Sequence, residues 1–303
     1  MPESFDVVTG ASGYTGRYIT RLLLSRGRRV KTLTGHPSRT SPFGDQIESA
    51  LFNFDRPDEL ARSLEGAGTV FNTYWIRFPY GGQTFDGAVA NTRVMIAAAS
   101  RAGVRKFVHI SVTNATTSPL PYFRGKAMVE AALKESALSY AIIRPALIFG
   151  VEDILLNNIA WLLRRFPFFA IPGRGDYRVQ PIFAADLGEI AVDAARDDQR
   201  TTLDAVGPEI FTFEEMVRMI ASAVRRNARI VHVDPRIALA CAQTVGLFVR
   251  DVTLTRDEIR GLMSNLLVTN SPPNAATRFS EWLCSHADNI GVAYASELAR
   301  HFR

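Results

Sequence analysis

The sequence is poor in cysteine and in lysine. Its 303 residues include two cysteines, Cys241 and Cys284. That is too few for a disulfide framework or a cysteine-rich zinc site, and no metal site is expected. No run approaches the roughly 18 to 20 apolar residues of a membrane-spanning helix. The most apolar late stretch, 237–249, is short and interrupted by Gln243, Thr244 and Gly246. The N-terminus, MPESFDVVTG, has no basic run followed by an apolar core. This argues against a secretory signal and makes the cytoplasm the expected location. Basic residues number 35 against 30 acidic ones, a net charge of +5. All but four of the basic residues are arginine, and they are scattered. A nucleic-acid partner needs a basic stripe interleaved with aromatics, so a solvated arginine-rich surface is expected instead. At 47% hydrophobic and 21% charged residues, the composition is that of a folded globular chain. Its length fits one large domain or two modest ones. None of this fixes an oligomeric state.

The first half alternates short apolar runs with amphipathic ones. Strands are expected at 5–9, 30–34, 47–54, 69–72, 106–111 and 140–144. Helical spacing follows the first strand at Ile19, Leu22 and Leu23, with Gly27 suited to the helix end. Further helices are expected at 58–64, 85–101 and 123–134. Strand–helix alternation predicts an α/β fold, a doubly wound parallel sheet covered on both faces. A ligand then binds beyond the carboxyl ends of the strands, near the point where strand order reverses. After Gly150 the pattern changes, with prolines and aromatics crowded between Phe166 and Pro172. The expected division is a dinucleotide-binding domain at 1–150, with 181–200 returning to it. Residues 151–180 and 201–303 then form a smaller, mainly C-terminal substrate part.

The first turn reads Thr9-Gly10-Ala11-Ser12-Gly13-Tyr14-Thr15-Gly16. Gly10 permits a tight turn, Gly13 lets a pyrophosphate approach the backbone, and Gly16 lets the helix pack on the sheet. The helix start turns its unpaired N–H groups and positive dipole end toward the phosphates. The glycines carry weight because they lie between a strand and an amphipathic helix. The plainer alternative is an ordinary tight turn. NAD sites place an acid about 20 residues on, at the end of the second strand. Here that end reads Thr34-Gly35-His36-Pro37-Ser38-Arg39, without an acid. NADP is therefore the expected cofactor and NAD the second choice. Thr34, His36 and Arg39 would face a 2′-phosphate, with Arg17 near the first turn. Asp55, after the third strand, could accept from an adenine amino group, or could cap the next helix.

Tyr122 and Lys126 stand four apart, on one face of a helix. The lysine charge would lower the tyrosine pKa, and the phenol would exchange a proton with a carbonyl as hydride moves. A surface pair on an amphipathic helix is the alternative. Ser111 and Thr113 leave the fifth strand. Either hydroxyl could polarise a substrate carbonyl, with Ser111 the first choice because it is nearer the strand end.

At these residues the chain resembles the short-chain dehydrogenase/reductase superfamily. The Thr9–Gly16 turn, Asp55, Ser111, Tyr122 with Lys126, the run from Ile143 to Gly150 and the run from Gln180 to Asp186 all fit its extended or atypical branch. The likeness is greatest to members related to the nitrogen-metabolite repressor and to the nucleotide-binding accessory subunit of respiratory complex I. The resemblance implies a Rossmann domain with a C-terminal substrate domain. It implies Tyr122 as acid/base, Lys126 as its helper, and Ser111 or Thr113 as carbonyl partner. Residues from Pro145 to Ile148 would line the nicotinamide. The sequence departs from the family after the fourth strand, where Asn72-Thr73-Tyr74-Trp75 replaces small residues. Tyr74 and Trp75 could crowd or gate the nicotinamide pocket.

The expected activity is NAD(P)-dependent oxidoreduction of a carbonyl or activated carbon in a small, apolar substrate. Phe166, Phe168, Phe169, Tyr74 and Trp75 supply the apolar pocket in that reading. Alternatives are an epimerase or dehydratase with bound NAD, and a non-catalytic NADPH-binding sensor or structural protein. The segment Trp161–Phe169 could touch a membrane surface or a quinone-like ligand. It could equally line the substrate pocket or core. Thr255 is expected to cap a helix with Asp257 and Glu258 in its first turn.

Overall fold

Short apolar runs bounded by turn residues form the strands expected of them. The computed structural model describes residues 4–37 and 40–302. In chain order, β1 (Phe5–Thr9), α1 (Tyr14–Ser25), β2 (Val30–Thr34), β3 (Ile47–Leu51), α2 (Pro57–Leu64), β4 (Ala67–Asn72), α3 (Phe85–Arg101), β5 (Lys106–Ile110), α4 (Pro121–Glu135) and β6 (Ser139–Pro145) come first. Next are β7 (Leu147–Phe149), α5 (Ile154–Arg165), β8 (Phe168–Pro172), β9 (Arg178–Val179) and β10 (Pro181–Phe183). Then come α6 (Ala184–Asp193) and β11 (Thr201–Ala205). The chain closes with β12 (Phe211–Thr212), α7 (Phe213–Ala223), β13 (Arg229–Val233), α8 (Pro235–Val249), α9 (Arg256–Met263), α10 (Phe279–His286) and α11 (Glu297–His301).

Two units result. The first is Met1–Pro145 with Ala184–Ala205, the second Ala146–Phe183 with Val206–Arg303. The expected return to the first unit ended at 200, but Thr201–Ala205 is a strand of its sheet. The third strand stops at Leu51 rather than 54, because Asn53 takes a left-handed φ of 44°, which strand geometry excludes.

In the first unit seven strands run in the order β11-β6-β5-β4-β1-β2-β3, and every pair is parallel. The order reverses between β1 and β4, so the loops after those strands border the crevice where such sheets bind ligands. The core holds Val7, Leu33, Leu60, Leu64, Val70, Met95, Phe107, Leu133 and Ile142. All five residues of β5, Lys106 and His109 among them, are buried, as expected of a central parallel strand covered on both faces. Lys106 stands at the amino end of β5 and donates to Gln199 O. Gly27 closes α1 at φ 72°. Its N–H donates to Leu24 O while that of Arg28 reaches Leu23 O, which satisfies the helix's last carbonyls.

One acid is packed into the apolar stripe of α4. Phe123, Val129 and Leu133 are buried on that helix, and so is Glu130. The Arg144 guanidinium, from β6, grips its carboxylate with two hydrogen bonds. Ser111, just past β5, donates to Oε1 at 2.6 Å. A buried carboxylate is tolerable when paired and hydrogen-bonded in this way. The same pairing raises the Arg144 pKa, chiefly through the hydrogen bond to Glu130. One carboxylate thus ties α4 to the ends of two central strands.

The second unit is built on small pairings. β8 pairs with β13 and β7 with β10 in parallel, and β9 with β12 antiparallel. Phe149, Ile159, Leu163, Tyr177, Phe213, Val217, Phe279 and Trp282 form its core. Thr212 with Glu215, and Thr255 with Glu258, make reciprocal capping boxes on α7 and α9. The segment Trp161–Phe169 divides: Leu163 and Phe169 are buried, Phe166 and Phe168 exposed. Arg164 donates to Ile290 O and Ala287 O, and Arg165 lies 4.6 Å from the Trp161 ring centre. Among the described residues no helix is long and apolar enough to cross a membrane.

Replacing Arg144 with Met strips Glu130 of its main counter-charge inside the fold. The expected loss is about 3–5 kcal/mol of unfolding free energy, read from urea denaturation. A loss below about 1 kcal/mol would show that the pair does not hold the charge.

Candidate functional site

The turn after β1 is shaped by backbone proximity. Gly10 has φ 64°, a conformation that disfavours side chains. Its N–H donates to Leu33 O at 2.8 Å and its carbonyl accepts from Gly13 N at 2.8 Å. A Cβ on Gly16 would lie 2.2 Å from Gly10 O, and one on Gly13 would lie 3.0 Å from the same atom. The first contact is with backbone and cannot be relieved by a rotamer change. Thr32 Oγ1 accepts from Ala11 N and donates to Val8 O, pinning the turn to β2. Gly13 is the N-cap of α1, no side chain caps the helix, and its first turn holds no acid. The start of α1 therefore offers its backbone donors and dipole to an anion without competition from a carboxylate. Ser12 is exposed and Tyr14 and Thr15 half-buried beside it, while Arg17 donates to Ser12 O at 3.2 Å. This cradle fits the pyrophosphate of a dinucleotide.

Toward β2 and β3 the edge is open. Thr34 Oγ1 accepts from His36 N, and Gly35 and His36 are exposed. Arg39 lies outside the described residues. Asp55 is exposed, 3.9 Å from the Arg56 guanidinium, and it does not cap α2, which has no side-chain cap. Phe52, Phe54 and Tyr74 form an aromatic trio with centroids 4.9–5.1 Å apart. The Tyr74 hydroxyl accepts from Asn91 at 2.9 Å, and burial raises its pKa. Tyr74 was expected to crowd a nicotinamide. It turns instead toward the residues that follow β3, because the apolar ring packs on Phe52 and Phe54.

The ends of β1, β4 and β5 carry a buried polar chain. Thr9 Oγ1 accepts from Thr73 N at 2.7 Å and Tyr74 N at 2.9 Å. Asn72 Oδ1 takes hydrogen bonds from Thr9 Oγ1 and Tyr74 N. That fixes the amide orientation, so Nδ2 donates to His109 Nδ1 at 3.0 Å. His109 is then the tautomer with its hydrogen on Nε2, and Nε2 is buried without a partner. Burial, with the Lys126 charge adding to it, pushes the His109 pKa far below the usual imidazole range. The ring stays neutral at ordinary pH.

Lys126 Nζ is buried and donates to Ile110 O at 2.7 Å. It also lies 4.5 Å from the Trp75 ring centre. The indole packs over Gly125, where a Cβ would come within 3.0 Å of it, and meets the Tyr122 ring edge-on at 6.0 Å. Trp75 therefore rests on the face of α4 between Tyr122 and Lys126, with Phe85 against Tyr122 on another side. Burial lowers the Lys126 pKa to about 7, against the raising effect of Glu130.

Thr113 is buried and its N–H donates to Pro145 O at 3.0 Å, joining the ends of β5 and β6. Ser111 was the first choice for a donor to a substrate carbonyl. Its single hydrogen goes instead to the buried Glu130 carboxylate, because a desolvated carboxylate is the stronger acceptor. Thr113 was the other residue expected in that role. Gly10, Ser12, Gly13, Tyr14, Thr15, Gly16, Asn72, Thr73, Thr113, Tyr122, Lys126 and Pro145 thus share the carboxyl edge of one sheet. Phe166, Phe168 and Phe169, expected in an apolar pocket, lie in the second unit. His109 and Glu130 escaped sequence reading. The available signal was a histidine and a glutamate inside otherwise apolar periodic runs.

Comparison with known proteins follows this geometry. The family described as NAD(P)H-binding matches residues 10–151. The mitochondrial NADH dehydrogenase [ubiquinone] 1 alpha subcomplex subunit 9 of Arabidopsis thaliana is 25% identical over 284 residues, 87% of this chain and 71% of that one. Five such complex I relatives are matched over 61% to 73% of their own length. Among solved structures, NADPH-dependent quinone oxidoreductase QOR2 of Escherichia coli with NADPH superposes at TM-score 0.74, 20% identity, over 93% of this chain and 99% of that one. MoeE5 with UDP-glucose and NAD superposes at 0.71, also 20% identical, over 94% and 98%. The likeness to these solved structures shows an α/β Rossmann fold with a parallel sheet and a smaller C-terminal region, and residues 10–151 of that fold are the part matched by the NAD(P)H-binding family. One expectation is corrected. The five complex I relatives are mitochondrial by name, and the cytoplasmic location is not retained.

The Lys126 shift has a measurable sign. Its folded pKa of about 7 lies below the ordinary lysine value. Between about pH 7 and pH 10 the unfolded chain holds the extra proton, so stability rises with pH across that window and is lost as pH falls toward 7. Lys126→Met removes this dependence. The melting-temperature difference between wild type and variant is expected to shift in favour of wild type from about pH 7 to pH 10. Parallel curves would place the lysine at its ordinary value.

Proposed function

We propose that this NAD(P)-binding Rossmann chain is an enzyme that exchanges hydride with a small ligand, Tyr122 giving or taking the accompanying proton. The observation that supports it is the gathering, on one sheet edge, of the uncapped glycine turn, Thr113, Tyr122 and Lys126. The dinucleotide, when bound, supplies the hydride donor or acceptor at its nicotinamide. The rest falls to the chain. Gly10, Gly13 and Gly16 leave the backbone bare for the pyrophosphate, and Ser12, Tyr14 and Thr15 flank it. Asn72, Thr73 and Pro145 line the middle of the edge, and the exposed Asp55 carboxylate is offered to the adenine amino group.

Thr113 orients the oxygen of the ligand. Lys126, with a pKa near 7, carries its charge in part of the molecules at neutral pH. When charged it favours the ionised form of a nearby phenol and binds ribose hydroxyls. Tyr122 moves the proton on the reacting oxygen.

The redox-neutral form of this chemistry, epimerisation or dehydration with the dinucleotide retained, has the broader support. Fold neighbours that cover nearly the whole chain include MoeE5 with UDP-glucose and NAD, and nucleotide-sugar epimerases. Net oxidoreduction has the quinone oxidoreductase neighbour on its side. For the cofactor, NADP is preferred to NAD. No acid stands at the end of β2, where one would repel a 2′-phosphate, and Arg17 stands beside the first turn. One observation favours a binding-only reading, the Trp75 indole lying between Tyr122 and Lys126.

The test begins with calorimetric titration of NADPH and NADH, NADPH being expected to bind about tenfold tighter. Nucleotide sugars, quinones and simple carbonyl compounds are then screened. Product without net loss of reduced nicotinamide supports the redox-neutral form; stoichiometric loss supports oxidoreduction. Tyr122→Phe should lower turnover by about 10²- to 10⁴-fold and leave NADPH affinity within about twofold. Undiminished turnover would remove Tyr122 from the chemistry. Tight binding with no turnover in wild type or Trp75→Ala would establish the binding-only reading.

A further inference from the structure

Helix α8 of the second unit is inside out. All of its residues except Arg236, Gln243 and Thr244 are apolar. At helical spacing, Ala238, Ala242 and Gly246 fall on one stripe, and Ala238 and Gly246 are its buried positions. The opposite stripe carries Ile237, Cys241, Thr244 and Phe248, with Leu247 beside it. Ile237 is 54% exposed, Leu247 80% and Phe248 85%. A helix lying on a water-soluble fold does the reverse, with large apolar residues inward and small or charged ones outward. The inward glycine is required. A Cβ on Gly246 would lie 2.6 Å from Asp251 O, so the chain after the helix folds back against that stripe and fixes the large residues outward.

The neighbouring ribbon extends the apolar face. In the parallel pairing of β8 with β13, Phe168 stands beside Arg229 and Ala170 beside Val231. Phe168 is 56% exposed. The segment that carries these groups is rich in arginine, while the nearby acids are engaged: Glu214 pairs with Arg218 and His232, and the buried Asp251 accepts from Tyr294 and from backbone N–H groups. Residues 225–250 hold Arg225, Arg226, Arg229, Arg236 and Arg250 against one acid, Asp234. That carboxylate is occupied as the N-cap of α8, accepting from Arg236 N at 2.8 Å. Among the described residues the side chains of Arg225, Arg226, Arg229 and Arg236 hold no ion pair or hydrogen bond. These exposed arginines belong to the same segment as the exposed apolar side chains Ile237, Leu247 and Phe248.

We propose that α8 docks the second unit on a bilayer surface rich in anionic phospholipid. Ile237, Leu247 and Phe248 enter the acyl boundary, and the arginines meet the lipid phosphates. The pattern is that of an interfacial helix, with protruding apolar residues framed by basic ones. Arginine suits the rim because its stem lies along apolar surface while the guanidinium stays at the headgroups. A second copy of this chain is a poorer occupant, since a self-complementary contact would bring two arginine sets together. The inference stands on α8 and its surroundings and is independent of the reaction proposed above.

The full chain is sedimented with vesicles of phosphatidylcholine alone and of phosphatidylcholine with about one third phosphatidylglycerol. Binding to the anionic vesicles is expected to be at least about tenfold tighter. Leu247→Glu with Phe248→Glu should weaken it about tenfold or more. Both residues are exposed, so circular dichroism and melting temperature should be unchanged. Arg229→Gln with Arg236→Gln should weaken anionic binding and flatten its salt dependence. No vesicle binding by the wild type, equal binding to both vesicles, or full binding by the double glutamate variant would overturn the proposal. A concentration-dependent dimer that the glutamate variant loses, with no vesicle binding, would assign the face to a second copy.

Discussion

The carboxyl edge of the sheet depends on one hydroxyl. β1 and β4 are neighbours whose following loops must part to open a crevice, yet they must not drift apart before it begins. Thr9 Oγ1 settles both demands by accepting the Thr73 and Tyr74 N–H groups just past the end of β4. From that point the glycine turn departs on one side and Tyr74 and Trp75 on the other. Asn72 takes its orientation from the same clamp, and His109 takes its tautomer from Asn72. A local hydrogen bond thus reaches the interior of the next strand through Asn72.

A second fixed point lies under α4. The Glu130 carboxylate gathers Arg144 and Ser111, so the helix carrying Tyr122 and Lys126 is held to β5 and β6 by charge as well as by packing. Buried charges are a weak source of net stability but define a register sharply when paired. Here the register is that of the residues proposed to do chemistry. It also explains why the Ser111 hydroxyl is committed to Glu130 and not to the role first expected of it.

Much of this was legible in the sequence. Strand–helix alternation located the elements of the first unit to within a few residues, because each buried strand is a short apolar run between turn formers. The glycine turn was legible because its spacing answers a steric need, seen in the approach of Gly16 to Gly10 O. What stayed hidden was direction. Nothing in Asn72-Thr73-Tyr74-Trp75 says that Tyr74 turns to Phe52 and Phe54 while Trp75 turns to α4. The hydroxyl of Ser111 looks the same on paper whether it faces a ligand or Glu130. The run 237–249 read as merely apolar, because periodicity shows two faces and only tertiary packing says which is turned outward.

The position of Trp75 has an optical consequence. The chain has three tryptophans, and each indole lies against a different neighbour. Trp161 faces Arg165, and Trp282 stacks on His286 at 4.2 Å. Trp75 faces Lys126, which changes charge near neutrality. A cation beside an indole shifts the energy of its excited state, so the emission of Trp75 varies with the protonation of a single buried amine. The site contains its own fluorescent indicator, isolated by taking the difference from a Trp75→Phe variant.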